Sequence, residues 1–139
     1  MNEFTKFRVA DDWTPYSPEK IERIYGFDVI DNFDLAGQSY MVLGSKGGHV
    51  PGQVFFLSYD SGLIFTGDYL LLVDSLSPGE RETLNLPKFM MTSTNVDSPL
   101  FRREMEMLKE LITKFDEDLR VLKRRAIIVP GHGDYYSNG

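Results

Sequence analysis

The 139 residues include two histidines and no cysteine, so any metal chemistry must use His, Asp and Glu. Both histidines stand in glycine- and proline-lined turns at the ends of strand-like runs, Gly48-His49-Val50-Pro51-Gly52 and Pro130-Gly131-His132-Gly133. A turn in that place can aim an imidazole into a cleft while a sheet fixes the backbone, and glycine lets the main chain come close to a bound ion. Asp68 is a third case. Leu63-Ile64-Phe65-Thr66-Gly67-Asp68 brings a carboxylate to the end of an apolar strand, where an unpaired buried charge is costly unless it meets a cation. Imidazole and carboxylate together suit Zn²⁺, Fe²⁺ or Mn²⁺. Taken singly, each residue has a plainer role, since a histidine in a turn can cap backbone groups and an aspartate after glycine commonly makes a local turn bond.

The elements that must position these residues are legible in part. Ser17-Pro18-Glu19 has the residue types of a helix start, and Ile21, Ile24 and Tyr25 follow at helical spacing before Gly26, which predicts a short helix. Phe27 to Leu35 and Ser39 to Leu43 read as a hairpin turning at Ala36-Gly37-Gln38, and it leads into Gly44-Ser45-Lys46-Gly47-Gly48. Gln53 to Tyr59 and Leu63 to Thr66 read as two strands around Asp60-Ser61-Gly62, apolar enough to suggest burial on both faces. Between Asp74 and Asp97 the signals weaken, and Lys88 to Met91 fits either a short helix or an extended piece. A long helix starts at Ser98-Pro99 and runs to about Lys123, with Phe101, Met105, Leu108, Ile112, Phe115, Leu119 and Leu122 in one apolar stripe. Ala126 to Val129 is the last strand, and Pro130-Gly131 turns it into His132. Alternating strands and helices predict an α/β layered domain.

Composition narrows the functions. The formal net charge of −6 repels phosphate backbones, which disfavours nucleic acid as a partner. The one basic cluster, Lys123, Arg124 and Arg125, falls at a predicted helix end, where cations offset the helix dipole. No apolar run approaches the ~20 residues that span a bilayer, so a cytoplasmic protein without a membrane segment is the expectation.

Taken in order, Gly48 to Gly52, Phe65-Thr66-Gly67-Asp68 and Pro130-Gly131-His132 resemble the latter part of the metallo-β-lactamase superfamily. There a hairpin leads to a Gly-His-x-Pro-Gly turn, then to a strand pair ending Phe-Thr-Gly-Asp, then through helices to a last strand ending Pro-Gly-His. The resemblance covers about Phe27 to His132, the stretch from Asp74 to Asp97 matching only in position. One departure is Gly47, where the family often has proline. The resemblance implies half of an αββα sandwich, a mixed sheet flanked by helices. It makes His49 a ligand of a first metal, Asp68 the carboxylate bridging two metals, and His132 a ligand of the second. The metal it implies is most often zinc, with iron or manganese as alternatives. In the complete family site the two metals activate a water that attacks a carbonyl or phosphoryl centre of a small-molecule substrate.

The family's first ligand set, a His-x-His-x-Asp-His run, is not in this sequence, which has no third histidine to supply it. Residues 1–26 resemble the lid or linker between the family's two halves, and residues 27–139 its C-terminal half. Two functions follow as expectations. One is a metal-dependent hydrolase that acts only when the N-terminal half is supplied, by the same parent chain or by a partner. The other is a non-catalytic half-domain that dimerises and at most binds one metal ion. The apolar strands predict association, and the half-domain a homodimer. Tyr135 and Tyr136 could line a substrate pocket beside His132 or pack on the surface, and neither is assigned a catalytic role.

Overall fold

The computed structural model describes residues 22–71, 77–79 and 97–137. Seven strands form one mixed sheet in the order in which they occur along the chain. They are β1 (Glu22–Ile24), β2 (Phe27–Leu35), β3 (Gln38–Gly44), β4 (Val54–Ser58), β5 (Leu63–Leu71), β6 (Ile127–His132) and β7 (Tyr136–Ser137). Every neighbouring pair is antiparallel except β5 and β6. Before β6 comes α1 (Ser98–Val121), the one complete helix among the described residues. The α/β class holds, and a sheet flanked by several helices is not what these residues form.

The alternation expected of half-buried strands decides which side chains meet α1. Phe27, Val29, Leu43, Phe55, Leu57 and Ile64 pack against Leu108, Leu111, Ile112, Phe115 and Leu119 of the helix in one core. The other face carries the alternate residues of β3, β4 and β5, and a register shift between Val29 and Asp31 brings Phe33 onto it: Phe33 stacks on Tyr40, meets Phe56 edge-on, and Tyr40 lies beside Phe65. Phe56 and Phe65 are half-buried, so β4 and β5 alternate and are not buried equally on both faces.

The predicted helix ahead of Gly26 is corrected where the structure describes it. Glu22–Ile24 is a strand paired with β2, with Ile24 opposite Phe27. The two residues between them, Tyr25 and Gly26, have φ of 46° and 87°, the positive values that a tight two-residue hairpin turn requires. A three-residue strand fits the same apolar spacing as a helical turn, and cross-strand pairing selects the strand. The sheet therefore takes in residues from before the boundary placed at 26/27. Ser17 to Ile21 and Lys88 to Met91 lie outside the described residues.

Two further boundaries move. β5 does not stop at Asp68 but continues to Leu71, with its register against β6 shifting around Gly67. β6 continues through Pro130 and Gly131 to His132 instead of turning after Val129. Leu122, expected on the apolar stripe, caps α1 and is 65% exposed. The basic cluster is structural in part: the Arg124 guanidinium donates to the carbonyls of Tyr59 and Asp60, and that of Arg125 to Asp116. No helix among the described residues is long and apolar enough to cross a membrane.

Candidate metal centre

Strand direction gathers the three residues at one edge of the sheet. Since β3 and β5 are each antiparallel to β4, and β6 is parallel to β5, the strands β3, β5 and β6 all point the same way. His49 follows the end of β3, Asp68 lies late in β5, and His132 ends β6. The site occupies the carboxyl-end edge of these strands, the common ligand position in α/β sheets.

Asp68 stands between the histidines. Its Oδ2 is 3.5 Å from His49 Nε2 and its Oδ1 is 3.4 Å from His132 Nε2. Each imidazole thus faces a different oxygen of one carboxylate. Both separations exceed those of good N–H···O hydrogen bonds. They match two ligands of one tetrahedral ion, for which Zn–N and Zn–O bonds near 2.1 Å place the donor atoms about 3.4 Å apart. Among the described residues no group of three or more His, Asp or Glu side chains is placed to hold a metal ion. The geometry is that of two His–Asp pairs sharing Asp68.

The Asp68 side chain is 52% exposed, which corrects the expectation that burial alone would demand a cation there. Its placement comes from two glycines instead. A Cβ at Gly131 would lie 2.6 Å from Asp68 Oδ1 and under 3 Å from the Gly67 carbonyl group, so only glycine lets β6 run this close to the bend in β5. Gly67 itself has φ of 53°. His132 is 43% exposed and His49 only 15%.

His49 sits deeper because its loop is fastened to α1 and β5. The Gly48 backbone touches the first turn of the helix so closely that a Cβ there would lie 2.5 Å from Phe101 N, and the Asp97 N–H donates to the Gly48 carbonyl at 3.0 Å. The His49 N–H donates to Tyr69 Oη at 3.2 Å, and its ring lies among the Tyr69 and Phe101 rings. Ser45 Oγ is 2.9 Å from Tyr69 Oη and donates to Glu104 Oε2. Because the Ser45 hydroxyl hydrogen is committed to Glu104, the Tyr69 hydroxyl is the donor to Ser45. Burial pushes the Tyr69 phenol above its ordinary pKa and keeps that donor in place. Glu104 also accepts the N–H groups of Lys46 and Gly48.

Sequence reasoning found the three candidate ligands and missed Ser45, Tyr69 and Glu104. The available signal was Glu104, a glutamate on the apolar stripe of α1, three residues after Phe101 and four before Leu108. Tyr135 is exposed, whereas Tyr136 lies in the edge strand β7 and packs partly against the core. No protein-family model, curated protein or solved structure matches this chain.

Proposed function

We propose that His49, Asp68 and His132 are metal ligands of a metallo-β-lactamase-type hydrolase, with Asp68 shared between two divalent ions, and that this chain forms one half of that family's αββα sandwich. The observation that carries the reading is the pairing of each imidazole with a separate oxygen of Asp68, at 3.5 Å and 3.4 Å. A histidine hydrogen-bonded to an aspartate as a simple structural pair would engage it nearer 2.8 Å. When bound, the ions supply Lewis acidity and an activated water for attack on a carbonyl or phosphoryl centre. His49 and His132 would each hold one ion against Asp68, and Gly131 and Gly67 keep the carboxylate at the sheet edge.

A catalytic zinc usually has three protein ligands, and here each ion would draw on one histidine and the shared carboxylate. The further histidine ligands of the complete family site are not supplied by this sequence, which holds no third histidine. That shortage and the aromatic face of the sheet support association with a second copy. The same shortage favours a second reading, in which the chain is a non-catalytic half-domain that binds metal weakly.

Zn²⁺ titration followed by histidine-ring NMR tests the assignment. Shifts of both rings are expected, with the His49 response lost in His49→Ala, the His132 response lost in His132→Ala, and both lost in Asp68→Ala. Rings that ignore millimolar Zn²⁺ would remove the metal reading. Binding without hydrolysis of ester, lactone or phosphodiester substrates, even in the assembled form, would leave the half-domain reading.

A further inference from the structure

Glu104 is fully buried within the apolar stripe of α1, and among the described residues it pairs with no Lys or Arg. A carboxylate in such a place is unfavourable unless hydrogen bonds replace its water. Its three donors all come from the loop that precedes His49: the Ser45 hydroxyl and the Lys46 N–H on Oε2, at 2.9 and 3.0 Å, and the Gly48 N–H on Oε1, at 3.0 Å. The same loop holds Gly47 and Gly48, residues that lose the most backbone freedom when ordered. An apolar side chain would fill the position in α1 with less desolvation, but it would leave three loop donors without acceptors.

The network also reaches the other half of the His49–Asp68 pair. A chain of donors runs from the His49 N–H to the Tyr69 hydroxyl, from there to the Ser45 hydroxyl, and ends on Glu104. Tyr69 is the residue next to Asp68 in β5. The backbone carrying His49 and the strand carrying Asp68 are therefore tied to a single buried carboxylate, and bonds in such a chain strengthen one another.

We infer that Glu104 is a positioning residue that sets the spacing of His49 from Asp68 by holding the Ser45–Gly48 loop, without touching the ion. The inference rests on the metal reading above. Among the described residues nothing comparable fastens His132, whose segment is held by the β5–β6 pairing, so the effect is confined to one side of Asp68.

The test is Glu104→Gln, which keeps the volume and replaces one acceptor oxygen with an amide that faces a loop donor. Zn²⁺ affinity is read separately at the His49 and His132 rings by NMR, beside thermal unfolding of the metal-free protein. The expected result is a His49-side affinity weakened by about 10–100-fold, the range found for residues that orient metal ligands, with the His132 side unchanged. Tyr69→Phe and Ser45→Ala, which keep the carboxylate and break one link each, are expected to shift the His49 side in the same direction by less. They also serve if Glu104→Gln does not fold. Equal weakening at both rings, tracking a lower melting temperature, would mean a structural role alone and overturn the inference. So would wild-type affinity at His49 in the variants. If the unmodified protein binds no Zn²⁺, the metal reading fails first and this inference falls with it.

Discussion

At the scale of single residues, the candidate site depends on glycines as much as on ligands. Gly131 is fixed by contact: an added Cβ would meet Asp68 Oδ1 and the Gly67 carbonyl group, and the backbone members of that contact cannot swing away. Gly131→Ala is expected to lose about 1–3 kcal/mol in urea unfolding, the usual range for overpacking, and to weaken Zn²⁺ binding by moving Asp68. Gly37 makes a useful contrast. Its φ is 77° but nothing lies within 4 Å of an added Cβ, so Gly37→Ala should cost only the left-handed backbone penalty of about 1–2 kcal/mol and leave Zn²⁺ affinity alone.

At the scale of elements, α1 is held at both ends by aspartates. Asp97 caps its start, accepting the Leu100 N–H at 2.9 Å, and Asp97→Ala should lower stability by about 1 kcal/mol. Near the other end, Asp116 is buried and accepts the Ala126 N–H together with the Arg120 and Arg125 guanidinium groups, which fastens the helix to the chain entering β6. Burial pushes its pKa up, but the Ala126 N–H and then the two arginines outweigh burial and hold it below the ordinary carboxylate value. The folded state therefore binds this proton less readily than the unfolded chain. The stabilisation is fully present above about pH 4, the unfolded value, and is lost as pH falls through the lower folded one. Asp116→Asn should cost about 1.5–3 kcal/mol at pH 7, and the gap from the unmodified protein should narrow in unfolding curves taken below pH 4.

At the scale of the whole molecule, α1 covers one face of the sheet, and the other bears the Phe33, Tyr40, Phe56 and Phe65 cluster. Loss of a side chain from the helix-facing core should be severe: Ile64→Ala is expected to cost about 2–5 kcal/mol by thermal or urea unfolding. On the second face the proposed association makes a different prediction. Phe33 is 38% exposed, and Phe33→Asp should lower the mass measured by light scattering from dimer to monomer without preventing folding. A monomeric unmodified protein at the same concentration would show that this face does not join two copies.

Much of this fold was legible along the chain because its signals are local. Alternation marks β2, unbroken apolar runs mark β4 and β5, a three- and four-residue stripe marks α1, and glycine-bounded histidines mark the candidate ligands. What the sequence could not determine depends on partners distant in the chain. Glu22–Ile24 is a strand because β2 lies beside it, and β5 runs on past Asp68 because β6 pairs with it as far as Leu71. Asp68 is exposed where apolar neighbours suggested burial, since the bend at Gly67 carries it to the sheet edge. Glu104 looks in sequence like a flaw in an apolar stripe, and only the tertiary structure shows the loop donors that occupy it. Residue types and spacing determined which side chains could do chemistry; strand direction decided that they meet, because β3, β5 and β6 all end at the same edge.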